Sequence, residues 1–150
     1  MTANEPRSLL RDTRHALEVA QRDFERGHLR EAIEVLERVV AGGGGTAAVH
    51  TMLGVAHARL RQVERAFDHL ERAVALDPTA FGPRCALGEL YLRLCIVEQG
   101  RAHLQHALEL ASTPEERRCV EGLLREERAR DKRRAHRPHF WKPFFGRRTR

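Results

Sequence analysis

Residues 47–80 read AAVHTMLGVAHARLRQVERAFDHLERAVALDPTA and residues 81–114 read FGPRCALGELYLRLCIVEQGRAHLQHALELASTP; laid over one another, they agree at a spacing of 34 residues. Leu53-Gly54 falls on Leu87-Gly88, Ala56 on Leu90, His57 on Tyr91, Ala66 on Gly100, Leu70 on Leu104 and Ala73 on Ala107. A fainter copy lies one period upstream, in residues 13–46, where Val19-Ala20 precede Gly27, Ala32, Leu36 and Val39 at the matching offsets. Small residues are what two antiparallel helices need where their backbones meet, because close approach leaves no room for long side chains. The pairs Ala20 with Ala32, Gly54 with Ala66 and Gly88 with Gly100 supply those contacts, and Leu36, Leu53, Leu70, Leu87 and Leu104 fill the space around them from one helical face.

This pattern resembles the tetratricopeptide repeat family, in which a Leu-Gly pair, a Tyr, a Gly, an Ala, an aromatic or Leu, a second Ala and a closing Pro recur along a two-helix unit. The second repeat carries it best, with Leu53-Gly54, Ala66, Leu70, Ala73 and Asp77-Pro78. Departures are Asp23 in place of the first repeat's Tyr, Gly42 to Gly45 in place of its closing Asp-Pro, and Cys95 where the third repeat's inter-helix Gly is expected. The resemblance implies an all-α, right-handed superhelical α-solenoid of three helix pairs, residues 13–46, 47–80 and 81–114, and a non-enzymatic protein-interaction role. Residues 1–12 extend the first helix, which is expected to start near Pro6 with Asn4 as its cap and to end at Gly27. Its partner should run from about Leu29 to Val40. Thr113-Pro114-Glu115-Glu116 then reads as a capping box, opening a helix over 114–131 that covers the last repeat with Cys119, Val120, Leu123 and Leu124.

The chain has 150 residues and a net charge of +6. Residues 132–150 hold eight Lys or Arg and no acid, more positive charge than the whole chain's net, so the repeats themselves are slightly acidic. Arguments about anionic partners therefore concern that tail. No signal-peptide pattern opens the chain and no run reaches the roughly 18 apolar residues of a membrane span, so the expectation is a cytoplasmic protein. Arginine dominates the basic residues, as in proteins of GC-rich bacteria.

Chemistry-bearing patterns are sparse. Cys85, Cys95 and Cys119 have no pair at zinc or redox spacing and read as reduced thiols. Gly42 to Gly45 lack the Lys of a phosphate loop and read as a free linker. His50 with His57, and His103 with His106, share helix faces without an acidic or thiol ligand in register, so no metal and no other cofactor is expected. No nucleophile signature points to an enzyme.

In the family that this chain resembles, ligand peptides lie along the concave face formed by the first helix of each pair. The matching offsets are Arg14, Leu17, Glu18 and Gln21, then Ala48, Thr51, Met52, Val55 and Arg59, then Cys85, Ala86, Glu89, Leu92 and Arg93. The family's carboxylate clamp is missing, since Leu17, Gln21 and Met52 stand where its Lys and two Asn belong. The lining suits an extended or helical segment with apolar anchors and an acidic residue for Arg59 and Arg93. A plain alternative is that some of these side chains pack against the neighbouring repeat.

The tail is a second candidate contact. It carries Arg137, Phe140, Trp141, Lys142, Phe144, Phe145, Arg147 and Arg148, with Pro138 and Pro143 opposing a helix. Aromatics among arginines suit three occupants: a protein partner or the groove of this or another copy, which would give a homo-oligomer; an anionic inner membrane surface, which would make the protein peripheral; or single-stranded nucleic acid. Residue types alone leave all three open.

Overall fold

The computed structural model describes residues 5–135, and side chains for 12–133. Among them are seven helices and no strand: α1 Glu5–Glu25, α2 Leu29–Ala41, α3 Ala47–Arg59, α4 Val63–Leu76, α5 Phe81–Arg93, α6 Val97–Leu110 and α7 Pro114–Ala135. Helices α1 to α6 form three pairs, α1/α2, α3/α4 and α5/α6, and each second helix packs on the first helix of the next pair. Helix α7 takes that next place after α6 and also touches α5, as α5 touches α3. The chain is thus an all-α solenoid, and its three periods are the three pairs. The expectations for the tail from residue 136 onward, and for the Asn4 cap, lie outside the described residues.

Close approach at small residues sets the pairing. A Cβ built on Gly54 would stand 2.5 Å from Leu70 Cγ, and one on Gly88 2.6 Å from Leu104 Cγ. Ala20, Ala32, Ala66, Ala73 and Ala107 are fully buried at the equivalent crossings. Leu36, Leu53, Leu70, Leu87 and Leu104 are the largest fully buried aliphatic side chains. They alternate between the two helices of a pair, so each layer of core is shared by consecutive elements. Burying each contributes about 2 kcal/mol.

The turns between paired helices share one backbone solution. Gly27 has φ 82°, Arg61 60° and Cys95 63°, one period apart. At each, two amide N–H groups turn back on the helix end, as in Arg61 N–H to Ala58 O at 3.2 Å and Gln62 N–H to His57 O at 2.9 Å. Arg61 and Cys95 adopt the left-handed conformation that the first pair assigns to Gly27, at the steric cost a Cβ brings there. The loop between pairs one and two is not the free linker its four glycines suggest. Gly43 closes α2 at φ 86°, and a Cβ on Gly44 would lie 2.7 Å from Thr13 Oγ1 and 2.7 Å from Val39 Cγ1. Thr46 caps α3 by accepting from Val49 N–H at 3.3 Å.

The start of α7 follows the sequence expectation. Glu116 N–H donates to Thr113 Oγ1 at 3.1 Å, and the Glu116 carboxylate accepts from the N–H groups of Ser112 and Thr113 at 2.7 and 3.2 Å. Those donors, the Ser112 N–H foremost, hold the Glu116 carboxyl below its ordinary range. The helix continues to Ala135, four residues past the expected boundary. Glu126 and Arg130 pair at 3.7 Å along it. Glu127 is buried, and Arg101 of α6 grips it with two bonds of 3.0 and 2.7 Å.

Candidate functional site

Between the first helices of the pairs and α7 lie clefts that share lining residues and together make a furrow. Its most apolar part is a cleft of about 460 Å³ between α1, α3 and the start of α5. Gln21 and Phe24 form one wall; Ala47, Ala48, Thr51, Met52 and Val55 form the floor; and Asp77, Ala80, Gly82 and Pro83 form the far side. The surface is mainly apolar because α3 presents small residues here and Thr51 spends its hydroxyl proton on Ala47 O at 2.7 Å. Asp77 is held by its own turn, accepting from Thr79 N–H at 3.0 Å and Thr79 Oγ1 at 2.7 Å.

Arg59 bridges α3 to α1, its guanidinium carbon 4.0 Å from the centre of the Phe24 ring. Beyond it the furrow narrows between Val55, Ala58, Arg59 and Ala86, Glu89, Arg93. Arg93 Nη2 meets Glu89 Oε1 at 2.7 Å, an exposed pair of small energetic weight. On the last stretch α7 contributes Leu123, Glu126 and Arg130 opposite Glu89, Leu92 and Arg93. An apolar cleft thus leads into a charged strip.

Residues 47–80 match the family model described as tetratricopeptide repeat, the same bounds as the second sequence period. The second helix pair is a tetratricopeptide repeat. Solved structures agree at the level of fold. The type III secretion translocator chaperone SycD of Yersinia enterocolitica has a TM-score of 0.70 at 17% identity, over 80% of this chain and 94% of that one. The first such domain of Spaghetti (RPAP3), solved with the HSP90 peptide SRMEEVD, gives 0.68 at 20% identity over 83% and 94%. The first domain of human RPAP3 gives 0.64 at 20% over 78% and 95%. No curated protein matches the chain in sequence.

The repeats bring most of the anticipated groove residues to this furrow. Gln21, Ala48, Thr51, Met52, Val55, Arg59, Ala86, Glu89, Leu92 and Arg93 line it. Arg14 and Glu18 are exposed on α1 outside these clefts. Leu17 packs into the first core cluster. Cys85 is buried under α7 and joins the core there instead. Phe24, Pro83, Asp77 and the α7 residues were not anticipated. A stripe of apolar residues announces Phe24 as inward-facing, but only its position across from Arg59 makes it a wall.

Histidines separated in sequence also gather. His50 Nδ1 and His69 Nδ1 lie 3.0 Å apart, and the His69 ring stacks on His57 at 5.3 Å between centroids. His103 stacks on Tyr91. No group of three or more His, Cys, Asp or Glu able to hold a metal exists among the described residues, and no described helix is long and apolar enough to cross a membrane.

Burial holds His50 and His69 below the ordinary 6.5, with Arg72 adding to it at His50, and His50 and His57 at His69, against Glu37 and Asp68. Burial likewise lowers His103, with Arg84 and His106 acting the same way against Glu71. The unfolded chain therefore binds more protons than the folded one just below pH 6.5. Stability is fully present above that value and is lost as pH falls through the folded pKa values. The urea midpoint should fall from about pH 7.5 to about pH 5.5, with a shallower slope in His69→Asn, whose amide can occupy the place of Nδ1. A flat profile would mean that the stack accommodates charge.

Proposed function

We propose that this protein is a non-enzymatic adaptor that binds a segment of a partner protein along the furrow. The observation that carries the reading is the open apolar cleft walled by Phe24, Met52, Val55 and Pro83 and continued by Arg59 and Arg93. Such a surface rewards a ligand with apolar anchors and a nearby carboxylate. The relatives solved with the acidic HSP90 peptide support a peptide as the ligand class. Leu17, Gln21 and Met52 argue for a different grip from the family's carboxylate clamp.

Peptides selected from a random displayed library on the full chain should share apolar anchors and an acidic residue. Arg59→Glu combined with Arg93→Glu should weaken them by tenfold or more, on the order of 2 kcal/mol, with helicity unchanged. Retained affinity would remove the arginines from the account, and failure to enrich any peptide would count against the furrow.

A second reading rests on the eight basic residues of 132–150 and the aromatics Phe140, Trp141, Phe144 and Phe145. It makes the solenoid a spacer tethered through its tail to an anionic membrane or nucleic acid. Steeply salt-dependent binding to anionic vesicles or single-stranded DNA, lost on deletion of 132–150, would favour it.

A further inference from the structure

Cys85 and Cys119 sit 34 residues apart on equivalent turns of α5 and α7, and the fold brings them together. Cys85 is only 8% exposed, in a cluster with Leu104, Ala107 and Val120, the residue next to Cys119. Helix α7 packs on α5 there, which brings Cys119 close enough to bear on the Cys85 thiol. Cys119 itself is exposed, and no disulfide joins the two. One thiol therefore faces solvent while the other waits beneath it. We propose that Cys85 and Cys119 form a reversible disulfide that clasps α7 to α5.

Hydrogen peroxide supplies the oxidant. It converts the Cys119 thiol to a sulfenic acid, releasing one water; the Cys85 sulfur then displaces the hydroxyl as the S–S bond forms, releasing a second. Two thiols lose two electrons and two protons, and the peroxide is reduced to water. Burial, with Cys119 next, pushes the Cys85 thiol up to about 12, so the inner thiol stays protonated and the exposed one is the point of entry. The closed loop encloses all of α6, so α7 can no longer lift away. Leu123, Glu126 and Arg130 would then be fixed against Glu89 and Arg93, a consequence for binding that rests on the furrow being the working surface.

Tryptic cleavage after Arg84, Arg93 and Arg118 separates the three cysteines onto different peptides, 85–93, 94–101 and 119–125. The full chain, treated with stoichiometric peroxide and then alkylated, should yield the linked pair 85–93 with 119–125, with the Cys95 peptide alkylated. Its melting point should rise by several degrees, revert with dithiothreitol, and stay unchanged by peroxide in Cys119→Ala, a substitution at an exposed site. Sulfinic Cys119 beside an alkylated Cys85, or dimers linked through Cys119, would overturn the proposal. This mapping reads the clasp whether or not the furrow binds peptide; comparing selected peptides on the oxidised and reduced chain tests the consequence separately.

Discussion

Gly88→Val should destabilise the chain by about 3 kcal/mol, the upper end of overpacking costs, read as a lower urea midpoint. A Cβ at residue 88 would lie 2.6 Å from Leu104 Cγ, 2.7 Å from its Cδ2 and 3.1 Å from Gly100 O. Leu104 is fully buried, and the Gly100 carbonyl is backbone. Gly100 faces the same crossing, where its own Cβ would meet Leu92 at 2.6 Å. Helix α5 therefore has to move away from α6 as a unit. Alanine at residue 88 is a milder case, because its helix preference returns about 1 kcal/mol against the strain. A valine variant with the stability of the parent would show that the third pair does not depend on this contact.

Leu70→Ala is the second large effect, expected at about 3–4 kcal/mol from lost burial and the cavity left behind. Leu70 is fully buried and clusters with Ala66, Leu87 and Leu90, so it serves both its own pair and the next. In a solenoid such a residue holds two interfaces, and amide exchange should accelerate from α3 through α5 rather than at one helix. The sharper check uses Gly54, whose Cβ would reach 2.5 Å from Leu70 Cγ. Gly54→Ala should destabilise the parent, yet restore part of the stability lost in Leu70→Ala by filling the space that change opens. If the two losses simply add, the packing assigned to this crossing is wrong.

The same crossings explain what sequence reading can reach. Gly54, Ala66, Gly88 and Gly100 were legible as contacts because repetition at one period places small residues where only a helix crossing requires them. The α7 capping box was legible because Thr113 and Glu116 act on backbone groups within one turn. The sequence offers Cys119 as apolar cover for the last repeat; it is exposed, and Val120 beside it and Glu127, two turns on, are the buried residues of α7. A charged helix gives no local sign of which acid an arginine on another element will reach.

The amino-acid sequence by itself determined the helix pairs, their period, the leucine layers and the residues at which paired helices touch. Each follows from local periodicity and side-chain size, which act within a turn or within one repeat. Only the tertiary structure decided that Phe24 meets Arg59, that His69 joins His50 and His57, that Cys85 is buried against α7, and that Arg101 holds Glu127. These depend on how one pair is rotated against the next, and that rotation is the sum of many packing contacts that no single segment encodes.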